Sequence, residues 1–186
     1  DRVFGTDGHF GRLYELIRQS QEIHPEQYRR SMALEARARV IELYGGEIIP
    51  GLVQTPAYAR ALIRATNPRE SEEKIEQMVA ARISRQERLR SDDPPRLSVI
   101  LSEAALRRPV GGPAAMREQL ATLLDLVETP TTVIQVLPFS HGEHGLLGGT
   151  LHLMTLDKRT LVAWDEGIVT GTLMQDPLRV NACRDR

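Results

Sequence analysis

The chain has 186 residues, enough for one sizeable core or two small, tightly associated layers. Hydrophobic residues make up 41% and charged residues 26%, and a formal net charge of -1 argues against a stand-alone nucleic-acid-binding domain. Aromatics at 4% leave an aliphatic core, the single Cys183 excludes an intramolecular disulfide, and no apolar run approaches the roughly 20 residues that span a bilayer.

Asp1-Arg2-Val3-Phe4-Gly5 lacks the apolar stretch of a signal peptide, so the expected compartment is the cytoplasm, with no membrane partner. The chain also begins without methionine, which reads as a fragment or a trimmed product.

In chain order, Asp7 is expected to cap a helix with Phe10, Leu13, Leu16 and Ile17 on its apolar face. Pro25 opens a second helix with Tyr28, Met32, Ala36, Val40 and Leu43 on one side, ended by Gly45-Gly46. Pro50-Gly51 is a break, Thr55 a cap and Pro56 a first helical residue, giving a short helix from Pro56 to about Ala65. Ser71 opens a fourth helix with Ile75, Met78, Val79, Ile83 and Leu89 inside. Its arginines, Arg82, Arg85, Arg88 and Arg90, form a solvated face among acidic residues.

Ser91-Asp92-Asp93-Pro94-Pro95 is the clearest linker. After it the period changes. Leu97–Leu101 and Thr131–Leu137 read as parallel strands joined by a crossover helix, Pro113–Val127, with Met116, Leu120, Leu123, Leu124 and Val127 inside. Residues 150–156 and 160–164 flank a hairpin turn at Asp157-Lys158-Arg159, and 168–174 adds another strand. The expected fold is α+β, an N-terminal helical layer followed by a small mixed β-sheet with a crossover helix. The parts are residues 1–91, 95–177 and a tail at 178–186.

Candidate chemistry gathers in Phe139–Gly149, which holds His141, Glu143, His144 and four glycines between two strands. These side chains with His152 are potential nitrogen and oxygen ligands, or His and Glu an acid/base pair. Without a recognised metal motif, the expectation is no metal and no cofactor. Trp164-Asp165-Glu166-Gly167 ends a strand with paired carboxylates, and Glu166 faces the loop if strands 150–156 and 160–164 pair. If the chain has a small-molecule site, its binding residues are His141, His144, Trp164 and Glu166. Were it an enzyme, His141, Glu143, His144 and Glu166 would be the catalytic set. No nucleophile elbow or phosphate loop occurs.

Four segments carry a resemblance. They are Ile48–Ala61, Val79–Glu87, Asp93–Leu97 with Ser102–Gly112, and Val133–Phe139. In that order, covering most of residues 1–177, they resemble the uncharacterised C-terminal domain of actinobacterial Xre-type helix-turn-helix, antitoxin-like regulators. The resemblance implies a cytoplasmic domain that receives a signal or a partner while a preceding helix-turn-helix binds DNA. No such helix-turn-helix is read within residues 1–186, so this chain alone is not expected to bind nucleic acid. Leu178–Arg186 is short and polar where the family continues into an arginine-rich helix.

The expected function is therefore a signal- or partner-receiving domain in transcription regulation, taking a small molecule or a small regulatory protein. The alternative is a stand-alone enzyme of a specialised metabolic pathway derived from this domain. Homodimers are also implied, with the helix over residues 71–90 as the self-association surface.

Overall fold

Residues 40–45, Val-Ile-Glu-Leu-Tyr-Gly, form the central strand of a six-stranded sheet, not the end of a helix. The computed structural model describes residues 26–157, 160–167 and 171–185. The helix read over residues 7–17 lies outside them. The helix begun after Pro25, α1 (Glu26–Glu35), stops before Ala38, and β1 (Val40–Gly45) follows. The helical reading of Val40 and Leu43 fails for a physical reason. A strand covered on both faces shows a near-continuous apolar run, and a short run of that kind also fits one face of a helix.

After β1 come α2 (Pro56–Thr66), α3 (Glu72–Ser84), β2 (Arg96–Ser102), a one-turn α4 (Glu103–Arg107), α5 (Gly112–Val127) and β3 (Thr132–Leu137). The chain continues through β4 (Thr150–Thr155), β5 (Leu161–Asp165), β6 (Thr172–Met174) and α6 (Pro177–Arg184). The sheet order is β3-β2-β1-β4-β5-β6. β1, β2 and β3 run parallel, with Leu43 opposite Val99 and Val99 opposite Ile134. Parallel neighbours need crossovers, which α2–α3 and α4–α5 supply. β4, β5 and β6 continue antiparallel from the other side of β1, so the two strands read on either side of Asp157-Lys158-Arg159 do pair, while Lys158 and Arg159 of the turn lie outside the described residues. The fold is thus α+β with a mixed sheet, and β1 comes from the half read as wholly helical.

One face of the sheet carries the main core. Ile41, Leu43, Leu97, Val99, Leu101, Met154, Val162 and Trp164 pack there with Leu52, Val53, Tyr58, Met116 and Leu123. On the other face, Tyr44, Leu151, Leu153, Ala163 and Met174 meet Val180 of α6. The terminal segment is therefore not a bare polar tail. Asp176 accepts a hydrogen bond from Arg179 N–H as its cap, and Val180 is fully buried.

The break at Pro50-Gly51 is held by side-chain amides. Gln54 donates to Ile49 O at 2.6 Å, and Gln86 donates to Gln54 O at 2.7 Å. Gln119 on α5 donates to Val53 O and accepts from Thr55 N–H, both at 2.7 Å. The Tyr58 hydroxyl accepts from Ile49 N–H at 3.1 Å. Each bond satisfies a backbone group that a buried irregular turn would otherwise leave orphaned. Thr55 caps α2 by accepting from Tyr58 N–H, as its position implies.

Two side-chain expectations are corrected. Arg82 and Arg85 do not lie on a solvated face. Ile75, Val79, Arg82 and Gln86 follow one helical stripe, and α3 tightens into a 3-10 turn over Arg85–Arg90. Arg85 is drawn inward by Glu35, with bonds of 2.9 and 2.8 Å to its two carboxylate oxygens, and also donates to the Tyr28 hydroxyl at 2.9 Å. On α5, Met116 and Leu123 are buried, but Leu120, Leu124 and Val127 are exposed. The helix presents a narrower apolar face to the core than its sequence suggests.

Candidate functional site

Sheet topology dictates where the loop between β3 and β4 must run. β3 is an edge strand, whereas β4 lies beyond β1. The connection therefore crosses the carboxyl ends of β2 and β1. In open sheets with parallel strands those ends are where ligands bind.

The loop begins with a 3-10 turn, Phe139–His141, tied down by Phe139 N–H donating to Glu103 Oε2 at 2.8 Å. That bond, ahead of Arg107, holds the Glu103 carboxyl below its ordinary value. Further along, Gly148 has a φ of 79°, a left-handed conformation that favours glycine. At the end of β1 the loop approaches so closely that a Cβ on Gly46 would stand 2.9 Å from Gly149 O.

Beneath the loop lies a cleft of about 790 Å³. Tyr44, Ser102, Phe139, His144, Leu147 and Glu166 line its sheet and loop side, and Leu62, Ile63, Thr66 and Arg82 its helical side. His144 is held at both ring nitrogens. Nδ1 accepts from Leu146 N–H at 3.2 Å, and Nε2 lies 3.2 Å from the Tyr44 hydroxyl. An accepting Nδ1 places the proton of the neutral ring on Nε2, which then donates to Tyr44. In that arrangement the Tyr44 proton is not used in the bond to His144. Burial, with Glu47 adding to it, raises the Tyr44 phenol above its ordinary value, so it remains a donor.

Glu166 enters from the end of β5, where its N–H bonds Thr150 O at 3.1 Å. The pairing of β4 with β5 brings it to the loop. Desolvation raises its carboxyl, opposed by the charges of Arg82 and Arg85. Behind it, His152 Nε2 lies 3.9 Å from Oε2. Both His152 ring nitrogens are buried without a hydrogen-bond partner among the described residues, and desolvation, helped by Arg85, lowers its pKa to about 3. Its imidazole is neutral at physiological pH.

His144 and Glu166 thus share the cleft. His141, 6.4 Å from His144 between ring centroids, lines only a second hollow of about 370 Å³ on the opposite sheet face, with Glu42 and Ser98, and His144 and Tyr44 line that hollow as well. Glu143 is exposed and lines neither. Trp164 is buried in the main core, edge-on to Tyr28 at 5.9 Å. Among the described residues no three His, Cys, Asp or Glu side chains are grouped to hold a metal ion. The arrangement offers binding poles and hydrogen-bond donors, not an activated nucleophile.

Sequence reasoning missed Arg82 and Tyr44. A signal for Arg82 was present, because it continues the buried Ile75–Val79 stripe. Tyr44 was hidden by the helical reading of β1.

A family model described as a domain of unknown function, DUF5753, matches residues 28–186. The chain belongs to the DUF5753 family. No curated relative and no solved structure matches it. The matched DUF5753 span contains every residue that lines the cleft. Among the described residues no helix is long and apolar enough to cross a membrane.

Proposed function

We propose that this DUF5753 domain receives a small molecule in the cleft under the 139–149 loop. It does so as the signal-receiving part of a transcriptional regulator whose DNA-binding helix-turn-helix is a separate segment. The observation that carries the reading is the cleft itself, a hollow at the carboxyl ends of parallel strands where Arg82, Tyr44, His144 and Glu166 converge. The word-level resemblance to Xre-type regulators supports the regulatory half. A net charge of -1 supports assigning DNA contact to another segment.

Ligand occupancy has a route outward. The loop is bound to α4 through Phe139 and Glu103, and Arg82 ties the cleft to the Gln54 turn at the start of α2. A ligand that closes the loop shifts both together.

A thermal-shift screen of small metabolites followed by hydrogen exchange tests this reading. Ligands that raise Tm are expected to protect backbone amides of residues 139–149. His144→Ala should weaken their binding at least tenfold, about 1.4 kcal/mol, with an unchanged urea midpoint. His141→Ala should have little effect. Protection confined to the opposite sheet face, or unchanged affinity in His144→Ala, overturns the reading.

A further inference from the structure

Arg82 and Arg85 stand one turn apart in chemically opposite situations. Arg85 is paired with both oxygens of Glu35 and with the Tyr28 hydroxyl. Arg82 donates through Nη1 to Gln54 Oε1 at 3.0 Å, and no carboxylate among the described residues is within ion-pair distance of it. A guanidinium has five N–H donors, so most of the Arg82 fork is open, and it lines the cleft. Across the same cleft Glu166 has no Lys or Arg within ion-pair distance among the described residues. The His152 ring, 3.9 Å from its carboxylate, is neutral. Two opposite charges therefore share one hollow, close enough to feel each other's field but out of contact.

We infer that Arg82 and Glu166 are the two poles of a site for a small amino-acid-like zwitterion, its carboxylate on the guanidinium and its ammonium on Glu166. The inference rests on the cleft being the ligand site and names the ligand's class. A planar carboxylate matches the guanidinium fork with two parallel hydrogen bonds. A phosphate dianion fits poorly, because Glu47 and Glu166 line the same space. Leu62, Ile63 and Leu147 favour an apolar side chain on the ligand.

The common L-amino acids are the probes, read by calorimetry and thermal shift on the full chain. At least one with an apolar side chain is expected to bind and raise Tm. Its deaminated acid and its decarboxylated amine should each bind at least tenfold more weakly. Arg82→Lys keeps the charge and loses the fork, and should abolish the preference for the amino acid over the amine. Glu166→Gln should make the deaminated acid as good a ligand as the amino acid. Binding of no amino acid, or equal binding of single-pole analogues, overturns the inference. A different ligand class protecting residues 139–149 overturns this inference and leaves the cleft reading standing. Ligands protecting only other regions overturn both.

A separate surface carries a second inference. β3 is an edge strand, Thr-Val-Ile-Gln-Val-Leu, with neither proline nor charge to blunt it, and Val133 and Val136 are more than half exposed. On α5, Ala115 packs beside Gly111 near Ala61 of α2, and Gln119 reaches Val53. Leu120, Leu124 and Val127 therefore occupy another, exposed flank of α5, a helix that packs beside β3, whose outer edge is unpaired among the described residues. Arg117 stands at one end of this stripe and Glu128 at the other.

The geometry points to a second copy of this chain as the occupant. Antiparallel pairing of two β3 edges about a two-fold axis brings the α5 stripes together and sets Arg117 against the partner copy's oppositely charged end. The apolar residues of α3 that sequence reading offered for self-association, Ile75 and Val79, are buried against Ile63 instead. Sedimentation of the chain is expected to show a dimer. Leu124→Glu should shift it to monomer with an unchanged circular dichroism spectrum. Arg117→Glu should weaken it and Glu128→Arg restore it in the double variant. A monomer at high-micromolar concentration, or a dimer unaffected by Leu124→Glu, overturns this assignment.

Discussion

Truncating Arg85 to alanine is expected to cost about 3–5 kcal/mol, enough to leave the domain largely unfolded at 37 °C if its stability is ordinary. The Glu35 side chain is 6% exposed and the Arg85 side chain 17%. Removing the guanidinium leaves a carboxylate in a nearly dry setting with both oxygens unpaired, and deprives the Tyr28 hydroxyl of a donor. Burial lowers the Arg85 pKa and Glu35 more than offsets it, so the two charges depend on each other. Replacing the pair together, Glu35→Leu with Arg85→Met, should recover most of the loss, because desolvation of two ions offsets much of their attraction. Urea denaturation of the two single variants and the double variant forms the cycle. Single losses below 1 kcal/mol, or a double variant as unstable as their sum, would contradict this account.

This buried pair also shows where sequence legibility ended. α2, α5, β2, β3 and the β4–β5 hairpin were readable, because each has its own local signal. Thr55-Pro56 opens α2, Gly111-Gly112-Pro113 opens α5, and Asp93-Pro94-Pro95 precedes β2. β1 was not readable, since its boundary at Ala38-Arg39 carries no proline or glycine and its apolar spacing serves a helix equally well. Arg85 was misassigned because an arginine between glutamates ordinarily lies in solvent. Its burial depends on Glu35, 50 residues earlier, which local spacing cannot reveal.

The site divided along the same line. That the 139–149 loop borders a hollow followed from its position between two strands, and its crossing of the β1 and β2 ends follows from the strand order. Trp164 and Glu166 are two residues apart, which alternation alone would put on one face; Trp164 lies within β5 and in the core, whereas Glu166 lies beyond the end of β5 at Asp165 and lines the cleft. Both loop histidines line the hollow on the opposite sheet face, and of the two only His144 also lines the cleft. Histidine content alone could not separate them.

His152 predicts the second large effect, and here pH decides its size. Its pKa is about 3 in the folded chain against an ordinary value of 6.5, with desolvation the main cause and Arg85 the lesser one. The unfolded chain therefore binds a proton at this residue near pH 6.5, and the folded chain does not until near pH 3. Stability from this residue is complete above pH 6.5 and is lost as pH falls, at up to about 1.4 kcal/mol per pH unit. Glu166 acts in the opposite sense, because its raised carboxyl takes up a proton earlier in the folded state than in the unfolded one. Comparison with His152→Met isolates the imidazole, since Glu166 is present in both proteins. At pH 7.5 the variant should be as stable or more stable, having removed two buried ring nitrogens without partners. Its advantage should then widen steadily from pH 6.5 to pH 4.5. Parallel stability curves for the two proteins would show that His152 finds a proton or a partner in the folded state, and the neutral wall behind Glu166 would be lost with it. A widening gap means the chain keeps a costly neutral imidazole directly behind the carboxylate of the cleft. That placement puts no charge from the imidazole behind Glu166, so among the described residues the charges acting on its carboxyl are those of Arg82, Arg85 and Glu35.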